Sequence, residues 1–482
     1  MTALAAAPRR QAAAPLAWLR ERGMGASILV AAISSAFGVV LISATGFIGA
    51  MLQNNPYIGE SEILAVVVGV LTVLLLALAL YVGAIVTANT FATVVAVRTR
   101  RIALMRLIGA SARSQRAEVA RQGLVVGAIG AAVGLVGGIA LAVVGVFAAQ
   151  RAFGLSFDYA VVRPELVAPA IVVALTTWAA AWVGSRKVLE VTPLQALGGS
   201  VEASHTDVAR RKGRNVTALA LLISGAALLA LGILVGLVSP LGVVIAFFGG
   251  VLSFTGLALA STLVMPPVLR LVGRWFGRSA TAKLAAENAL RYPERSSRMA
   301  IGVVMGVTLV TMFAVALETV KSVLAASGGG EPPAEMTTLI DTFSGIMMGL
   351  VGVSAVIAAV GLVNLLTIGV HQRTRELGLL RALGVSSGQV RRMVLLEAAH
   401  ITIAATVAGL ALGIVYGWAG AQSLLGSVQV PPLWMSPTFV LPAIPFWPIV
   451  AIVVATAVLT LVAAVAPTRL ATRVAPVEAL AE

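Results

Sequence analysis

The sequence predicts an all-α fold, a polytopic membrane protein of about ten transmembrane helices. Three observations predict this class. Of the 482 residues, 59% are hydrophobic and 11% are charged, whereas soluble domains carry about 25% charged residues. The apolar residues form runs of about 20 residues or more, long enough to cross a bilayer. The chain has no cysteine, which excludes disulfide scaffolds, thiolate metal sites and cysteine nucleophiles.

The apolar runs define ten predicted spans in chain order. Spans one to ten are 27–51, 63–90, 122–149, 166–184, 216–238, 241–265, 299–323, 342–368, 398–424 and 446–466. The first run is too long for the core of a signal peptide, so we expect it to remain as an uncleaved span. Only Ser239 and Pro240 separate spans five and six, which indicates a tight turn between two bridging helices.

Lysine and arginine lie almost entirely on one side of these spans. Ten spans put both termini on the same side, and all 34 Lys and Arg residues except Arg151, Arg163 and Lys321 fall on that side. Basic residues mark cytoplasmic loops, so we expect a plasma-membrane protein with both termini in the cytoplasm. The net charge of +15 then reflects orientation. It does not indicate nucleic-acid binding, because the basic loops lack interleaved aromatic residues.

The chain contains an internal repeat. Residues 89–116 align with residues 364–391 at an offset of 275, and residues 191–197 recur at 474–480. The copies are six spans apart and therefore face the same side, so the repeat is parallel. This argues against the inverted repeats of many secondary transporters. The predicted organisation is a four-span repeat (1–214), a two-span bridge (215–266) and a second four-span repeat (267–482).

The repeated segment has the pattern of a short amphipathic helix followed by a turn and a second helix. Gly384 is a natural helix stop, and Ser386 with Gln389 forms a capping box that starts the next helix. The first copy stops at Gly109 and has Ser114 where the capping box requires Glu or Gln. The predicted apolar stripes are Leu377, Leu380 and Leu383 in one copy and Ile102, Met105 and Ile108 in the other.

Two interpretations of this repeated elbow remain open from the residues alone. It can be a handle for a twofold protein partner, or an interfacial helix whose arginines meet lipid phosphates. The acidic Glu376 among the polar residues favours a protein contact.

Glycines recur at four-residue spacing in spans three and nine. They are Gly130, Gly134, Gly138, Gly409, Gly413 and Gly417. Small residues at this spacing allow helices to approach closely in lipid. We therefore expect spans three and nine to pack tightly, with the equivalent positions in the other half as a candidate partner.

Three segments resemble the FtsX-like (MacB-like) permease domains of ABC transporters. They are the Arg-Glu-Leu-Gly-Leu-Leu-Arg-Ala-Leu-Gly run at 375–384, the domain-ending segment 467–480, and the amphipathic segment 284–298. The resemblance implies a permease subunit of the mechanotransmitting type. It also implies a separate cytoplasmic ABC ATPase, in two copies, that binds ATP and Mg²⁺.

The resemblance also assigns the ATPase-coupling role to 98–109 and 373–384. The coupling residues would be Arg98, Arg100, Ile102, Met105, Arg106, Gly109, Arg373, Arg375, Glu376, Leu377, Leu380, Arg381 and Gly384. This sequence departs from the family in two respects. Arg101 stands where the second copy has Glu376, and the outer connections are too short for a large extracytoplasmic domain.

The expected function is export or extraction of an amphiphile, such as an antimicrobial, a peptide or a lipid. The alternative is a non-transporting subunit that signals ATPase state to an extracellular partner. One chain can supply both halves of the membrane unit, and a homodimeric permease is the other arrangement. No Gly-x-x-x-x-Gly-Lys-Ser/Thr phosphate loop occurs in the sequence, so we expect no catalytic residue here. The spacing of the three histidines predicts no metal site, and we expect no cofactor in this chain.

Overall fold

A computed structural model shows a helical protein over the part of the chain that it describes. Those residues are 24–53, 69–70, 73–74, 77, 81, 84–85, 99–153, 159–186, 212–275, 279–291, 293–327, 379, 381–427 and 439–473. Within these ranges there are eleven α-helices, one 3₁₀ turn and no strand. The predicted all-α fold is confirmed.

The helices are named here in chain order. They are α1 (Met24–Gln53), α2 (Thr99–Leu107), α3 (Ala112–Phe153), α4 (Val167–Gly184), α5 (Lys212–Gly236), α6 (Gly242–Leu259), α7 (Ser261–Gly273), α8 (Ala280–Arg291), α9 (Pro293–Ser327), α10 (Ser387–Leu425) and α11 (Phe446–Arg473). The 3₁₀ turn, Pro164–Leu166, leads into α4.

Among the described helices, seven are long and apolar enough to cross a bilayer, namely α1, α3, α4, α5, α6, α9 and α10. They coincide with predicted spans one, three to seven, and nine. Predicted span ten lies on α11, whose described apolar part, Phe446–Val462, is shorter. Span eight and all but a few residues of span two lie outside the described ranges. The arrangement of four, two and four spans and the three domain boundaries therefore stay predictions.

Predicted span six ends earlier than its apolar run. The helix α6 stops at Leu259, and a new helix, α7, begins at Ser261 after a break at Ala260. Pro266 and Pro267 lie inside α7, and proline removes a backbone donor and crowds the preceding turn. The span is thus 18 residues long, about 27 Å at 1.5 Å per residue, close to the hydrocarbon thickness of about 30 Å.

Helices α5 and α6 form an antiparallel hairpin, as the short connection at Ser239 predicted. Their glycines follow a seven-residue spacing and face the partner helix closely. A Cβ atom built on Gly225 would lie 2.6 Å from the Cα atom of Ser253, and one on Gly232 would lie 2.7 Å from the Cβ atom of Ala246. The two bridging helices are therefore in backbone contact along their length.

Helix α3 packs through its predicted glycine face against α1. A Cβ atom built on Gly130 would lie 2.5 Å from the Cβ atom of Ala31, and one on Gly138 would lie 2.8 Å from that of Val39. Ser35 of α1 donates a hydrogen bond to a backbone carbonyl of α3 over 3.0 Å. The prediction of tight packing by span three is confirmed.

Helix α10 packs through its glycine face against α9 in the same way. A Cβ atom built on Gly409 would lie 2.8 Å from the Cβ atom of Val307, and one on Gly413 would lie 2.5 Å from that of Thr311. The tight packing of span nine is confirmed as well. The suggested partner was wrong, because each glycine face contacts the first span of its own repeat and not the equivalent positions of the other half.

These two helix pairs extend the internal repeat into the membrane. Gly134 contacts Ser35 in the first half, and its repeat equivalent Gly409 contacts Val307 in the second. One turn further, Gly138 contacts Val39 and Gly413 contacts Thr311. The contacted residues of the two halves are separated by the same number of residues in both cases. The helices α1 and α9 are thus equivalent elements, although their sequences alone did not reveal the match.

We predict that Gly134→Ala destabilises the protein and that Gly137→Ala does not. Both glycines lie on α3, but a Cβ atom on Gly134 would lie 2.6 Å from the Cβ atom of Ser35, whereas one on Gly137 meets no atom within 4 Å. Overpacking costs about 1–3 kcal/mol, and alanine in an open helical position gains up to about 1 kcal/mol over glycine.

The thermal unfolding midpoint of the detergent-solubilised protein measures this difference. Gly134→Ala should lower the midpoint, and Gly137→Ala should leave it unchanged or raise it. Equal midpoints for the two variants would contradict the close packing of α3 on α1.

Candidate functional site

The first elbow consists of α2, the turn at Gly109 and the start of α3. Gly109 has φ +99°, a conformation that favours glycine. Its N–H donates to the carbonyl of Arg106 over 3.2 Å, and the N–H of Ala110 donates to the carbonyl of Met105 over 2.9 Å. These two bonds are the Schellman pattern that ends helices, so the predicted stop at Gly109 is confirmed.

Helix α3 starts at the serine that follows this turn. The Ser111 hydroxyl accepts a hydrogen bond from the backbone N–H of Ser114 over 3.1 Å. The Ser114 hydroxyl donates to the Ser111 carbonyl over 2.9 Å. One half of a capping box is therefore formed, and the shorter Ser114 side chain makes a different bond from the one that Glu or Gln would make.

The second elbow has the same local structure over its described part, which is Leu379 and residues 381–387. Gly384 has φ +95°, and its N–H donates to the carbonyl of Arg381 over 3.1 Å. Ser386 and Gln389 form both bonds of the predicted capping box, over 3.2 and 2.9 Å. The two elbows thus share a glycine stop and a serine start.

The predicted coupling residues fall into two groups. Those that lie outside the described ranges are Arg98, Arg373, Arg375, Glu376, Leu377 and Leu380. Arg100, Ile102, Met105 and Arg106 lie on α2, and Arg381 lies in the last turn before Gly384. Their role in coupling stays a prediction.

Both elbows expose apolar side chains, and we call the repeat-related pair on each elbow its tip; Met105 and Leu107 are exposed on the first elbow as well. The first tip is Leu104 and Ile108, and the second is Leu379 and Leu383. Leu104 and Leu379 are each 51% exposed, while Ile108 and Leu383 are 80% and 74% exposed. The predicted stripe of the first copy is not one uniform face, because Ile102 is buried. Exposed apolar side chains at these positions are available for contact with a protein partner or with the membrane interface.

The start of α3 is fixed to the end of α4 by one cation–π contact. The Arg116 guanidinium carbon lies 3.9 Å from the centre of the Trp182 ring. Arg116 also donates to the Trp182 carbonyl over 3.2 Å. Contacts of this type stabilise by about 0.5–2 kcal/mol. The first elbow is thus connected to two spans, α3 directly and α4 through Arg116.

His400 links α10 to α7. Its side chain is fully buried, and Nε2 lies 2.8 Å from the carbonyl oxygen of Leu269. This hydrogen bond satisfies the buried imidazole and holds α10 against α7, so it gives His400 a structural role. Among the described residues, no three His, Cys, Asp or Glu side chains lie close enough to hold a metal ion.

A cavity of about 210 Å³ lies between α5, α6, α9, α10 and two residues of predicted span two, Leu74 and Tyr81. Its lining is almost wholly apolar. The sequence did not indicate it, because five segments far apart in the chain contribute one face each and none has a polar motif.

The chain matches a protein-family model described as "FtsX-like permease C-terminal". The match covers residues 73–193 and 348–476, together more than half of the chain. The starts of the two segments are related by the same offset as residues 89–116 and 364–391. Their ends are related by the same offset as residues 191–197 and 474–480. Each matched segment therefore lies within one copy of the internal repeat.

Named relatives match over shorter regions. The ABC transporter permease YknZ of Bacillus subtilis is 32% identical over 100 residues, 21% of this chain and 23% of YknZ. The macrolide export ATP-binding/permease protein MacB of Rhodopirellula baltica is 35% identical over 136 residues, 28% of this chain and 18% of MacB. The pyoverdine export ATP-binding/permease protein PvdT of Pseudomonas aeruginosa is 32% identical over 90 residues, 19% and 13% of the two chains. The chain thus spans less than a quarter of each relative.

We predict that Gly109→Ala and Gly384→Ala loosen the elbows. A side chain is strained at these positive φ values, at a cost of about 1–2 kcal/mol. Gly388→Ala is the matched control, since a Cβ atom there meets only the Ser386 hydroxyl at 3.9 Å. Hydrogen exchange of the solubilised protein, read on the elbow peptides, should accelerate about fivefold or more in the two variants. Equal exchange in all three variants would contradict the glycine stops.

Proposed function

Because the chain belongs to the FtsX-like permease family, we propose that it is the membrane-spanning subunit of an ABC transporter that exports or extracts an amphiphilic substrate. The energy comes from ATP and Mg²⁺ bound by a cytoplasmic ABC ATPase that lies outside these 482 residues. Two copies of that ATPase dock on the two elbows. The elbows and the termini face the cytoplasm of a cell whose plasma membrane holds the chain.

The observation that carries this proposal is the pair of elbow tips. A soluble partner that binds both must present two equivalent apolar pockets, as a dimer of identical subunits does. Leucine and isoleucine side chains with half or more of their surface exposed supply apolar area that a partner can bury. The matched exposure of Leu104 and Leu379 favours the same mode of contact at both elbows.

The long helices behind the elbows support transmission of a stroke across the membrane. Helix α3 has 42 residues and α10 has 39, about 60 Å each at 1.5 Å per residue and twice the hydrocarbon thickness. A displacement of either elbow moves its helix as one rod. The glycine faces pass this motion to α1 and α9, because a close backbone contact leaves little room to slide.

The choice of an amphiphile rests on the composition of the spans and on the relatives. The chain has few charged residues with which to hold a sugar or an ion within the membrane. Two of the similar proteins carry macrolide export and pyoverdine export in their names, which favours export over signalling. The short outer connections that the sequence predicts leave little surface for an extracellular partner.

We predict that Ile108→Asp and Leu383→Asp weaken binding of the ABC ATPase. Each change puts a charge into an apolar contact, and the loss of a central interface residue typically weakens binding about tenfold to a hundredfold. The affinity of the purified permease in nanodiscs for its partner ABC ATPase, identified by co-purification, reports the effect. The double variant should lose co-purification.

The control for these variants is Leu284→Asp. Leu284 is an exposed leucine on α8, outside both elbows, so the same charge change should leave ATPase affinity intact. If Leu284→Asp weakens binding as much as Ile108→Asp, the tips are not the docking points. A permease that never binds an ABC ATPase would overturn the proposal as a whole.

We also predict that Glu376→Ala or Arg381→Ala uncouples the ATPase. Each removes a charged group from the second elbow and should abolish the stimulation of ATP hydrolysis by the permease, while membrane insertion stays normal. Steady-state ATP hydrolysis by the reconstituted complex, with and without the variant permease, is the measurement. Unchanged stimulation in both variants would remove these residues from the coupling contact.

A further inference from the structure

The apolar cavity lies where the two repeats and the bridge meet. Leu74 and Tyr81 belong to predicted span two of the first repeat, Leu229 and Phe254 are among the lining residues of the bridge, and the lining from Met305 onward belongs to α9 and α10 of the second repeat. On α10 the lining comes only from residues 416–424. In the predicted orientation these α10 residues lie in the outer half of the membrane, while Met305 and Thr308 of α9 lie nearer the cytoplasmic side.

Three of the described lining residues, Tyr81, Thr308 and Tyr416, carry hydroxyl groups. Tyr81 bonds to Thr255 over 2.8 Å, and Tyr416 bonds to Ser253 over 2.9 Å, so both phenols are engaged with α6. Thr308 is 4% exposed, and its hydroxyl has no hydrogen-bond partner among the described residues. A buried hydroxyl without a partner destabilises the empty site. The hydroxyl oxygen is itself buried, so a ligand with one hydrogen-bonding group would satisfy it after a rotation of the Thr308 side chain toward the cavity.

Two glycines leave the cavity open. Among the described residues, a Cβ atom built on Gly250 of α6 or on Gly420 of α10 meets no atom within 4 Å, although both residues line the cavity. Their neighbours Gly249 and Gly417 are in close contact with other helices. These two glycines make no close contact with any described helix, so the described part of the protein leaves space beside them for a ligand.

We infer that this cavity binds a single hydrocarbon chain of an amphiphile, with a hydrogen-bonding group on that chain at Thr308. The volume of about 210 Å³ is below the range of about 300–1,000 Å³ typical for drug-sized ligands. It therefore suits one alkyl chain and not a macrocycle or a folded peptide. This inference rests on the proposed function in one respect, since it takes the hydrocarbon chain to be part of the transported amphiphile.

The position of the cavity connects its occupancy to the ATPase stroke. Its walls belong to both repeats, so any displacement of one repeat against the other changes its shape. Tyr416 and Gly420 lie on α10, which starts at the second elbow. A stroke at that elbow would therefore expel or admit the chain.

Photolabelling of the purified permease, without ATPase, tests the site. The probe is phosphatidylglycerol with a diazirine on one acyl chain, in nanodiscs of phosphatidylcholine, and adducts are mapped by peptide mass spectrometry. Adducts are expected on Met305 and Met312. Gly250→Phe and Gly420→Leu fill the cavity and should lower these adducts about tenfold.

The matched control is Gly137→Phe. Gly137 is also open to 4 Å, but it lies on α3, away from the cavity, so its variant should label Met305 and Met312 as the parent protein does. Labelling that is unaffected by both filling variants would overturn the inference. So would an equal loss in Gly137→Phe, with the unfolding midpoint of each variant recorded to exclude a folding defect.

A second pair of variants tests the polar group. Thr308→Val and Thr311→Val each remove a buried hydroxyl that has no partner among the described residues, but only Thr308 lines the cavity. Phosphatidylglycerol with a 12-hydroxystearoyl chain should displace the probe about fivefold better than its stearoyl analogue. This is the difference in affinity expected from one additional hydrogen bond. Thr308→Val should abolish that preference, and Thr311→Val should keep it. A preference that survives Thr308→Val would remove the polar group from the inference.

The same labelling separates a transported amphiphile from a structural lipid. With the ATPase present, ATP turnover should lower the adducts if the chain belongs to cargo and leave them unchanged if it belongs to a resident lipid. Failure of the proposed function is seen separately, as an ATPase that does not bind. Failure of this inference is seen in the permease alone.

Discussion

Close backbone contact between helices is the interaction on which this structure depends. Lipid chains are as apolar as leucine, so no hydrophobic driving force brings helices together inside a bilayer, and close packing must do so. Among the described helices, glycine supplies that packing most extensively at the interfaces of α1 with α3, α9 with α10, and α5 with α6. The first two interfaces are repeat-related, and the third holds the bridge. Each pair is a rigid unit to which the remaining elements attach.

The sequence predicts those features that depend on local pattern. Seven spans, the glycine faces and the elbow turns follow from run length, four-residue spacing and the combination of Gly384 with Ser386. The partner of each glycine face did not follow, because the spacing describes one surface only. The break at Ala260 was missed because the apolar run continues through it. The exposure of Ile108 depends on how other parts of the protein pack around the end of α2, and a local sequence pattern does not predict such packing.

The bridge makes the two repeats unequal. A Cβ atom on Gly236, at the end of α5, would lie 2.5 Å from the Cα atom of Ser423 on α10, and Ser253 of α6 bonds to Tyr416 of the same helix. Within the described ranges, the bridge makes no comparably extensive contact with α3. The second repeat therefore carries an additional layer of helices. The cavity lies between that additional layer, α5 and α6, and the helices α9 and α10. For this reason α10 lines the cavity, whereas its repeat-related counterpart α3 does not.

This inequality has a consequence for how a stroke reaches the cavity. Ser386, at the second elbow, and Tyr416, in the cavity wall, lie on one uninterrupted helix about 45 Å apart. The first elbow has no such direct path, because α3 contributes nothing to the lining. Its motion passes to α1 through the glycine face, and from Val30 of α1 into the apolar core of α9. Equal displacements of the two elbows would thus have unequal effects on the cavity. The second elbow acts on the cavity wall directly through α10, and the first acts on it indirectly through α1.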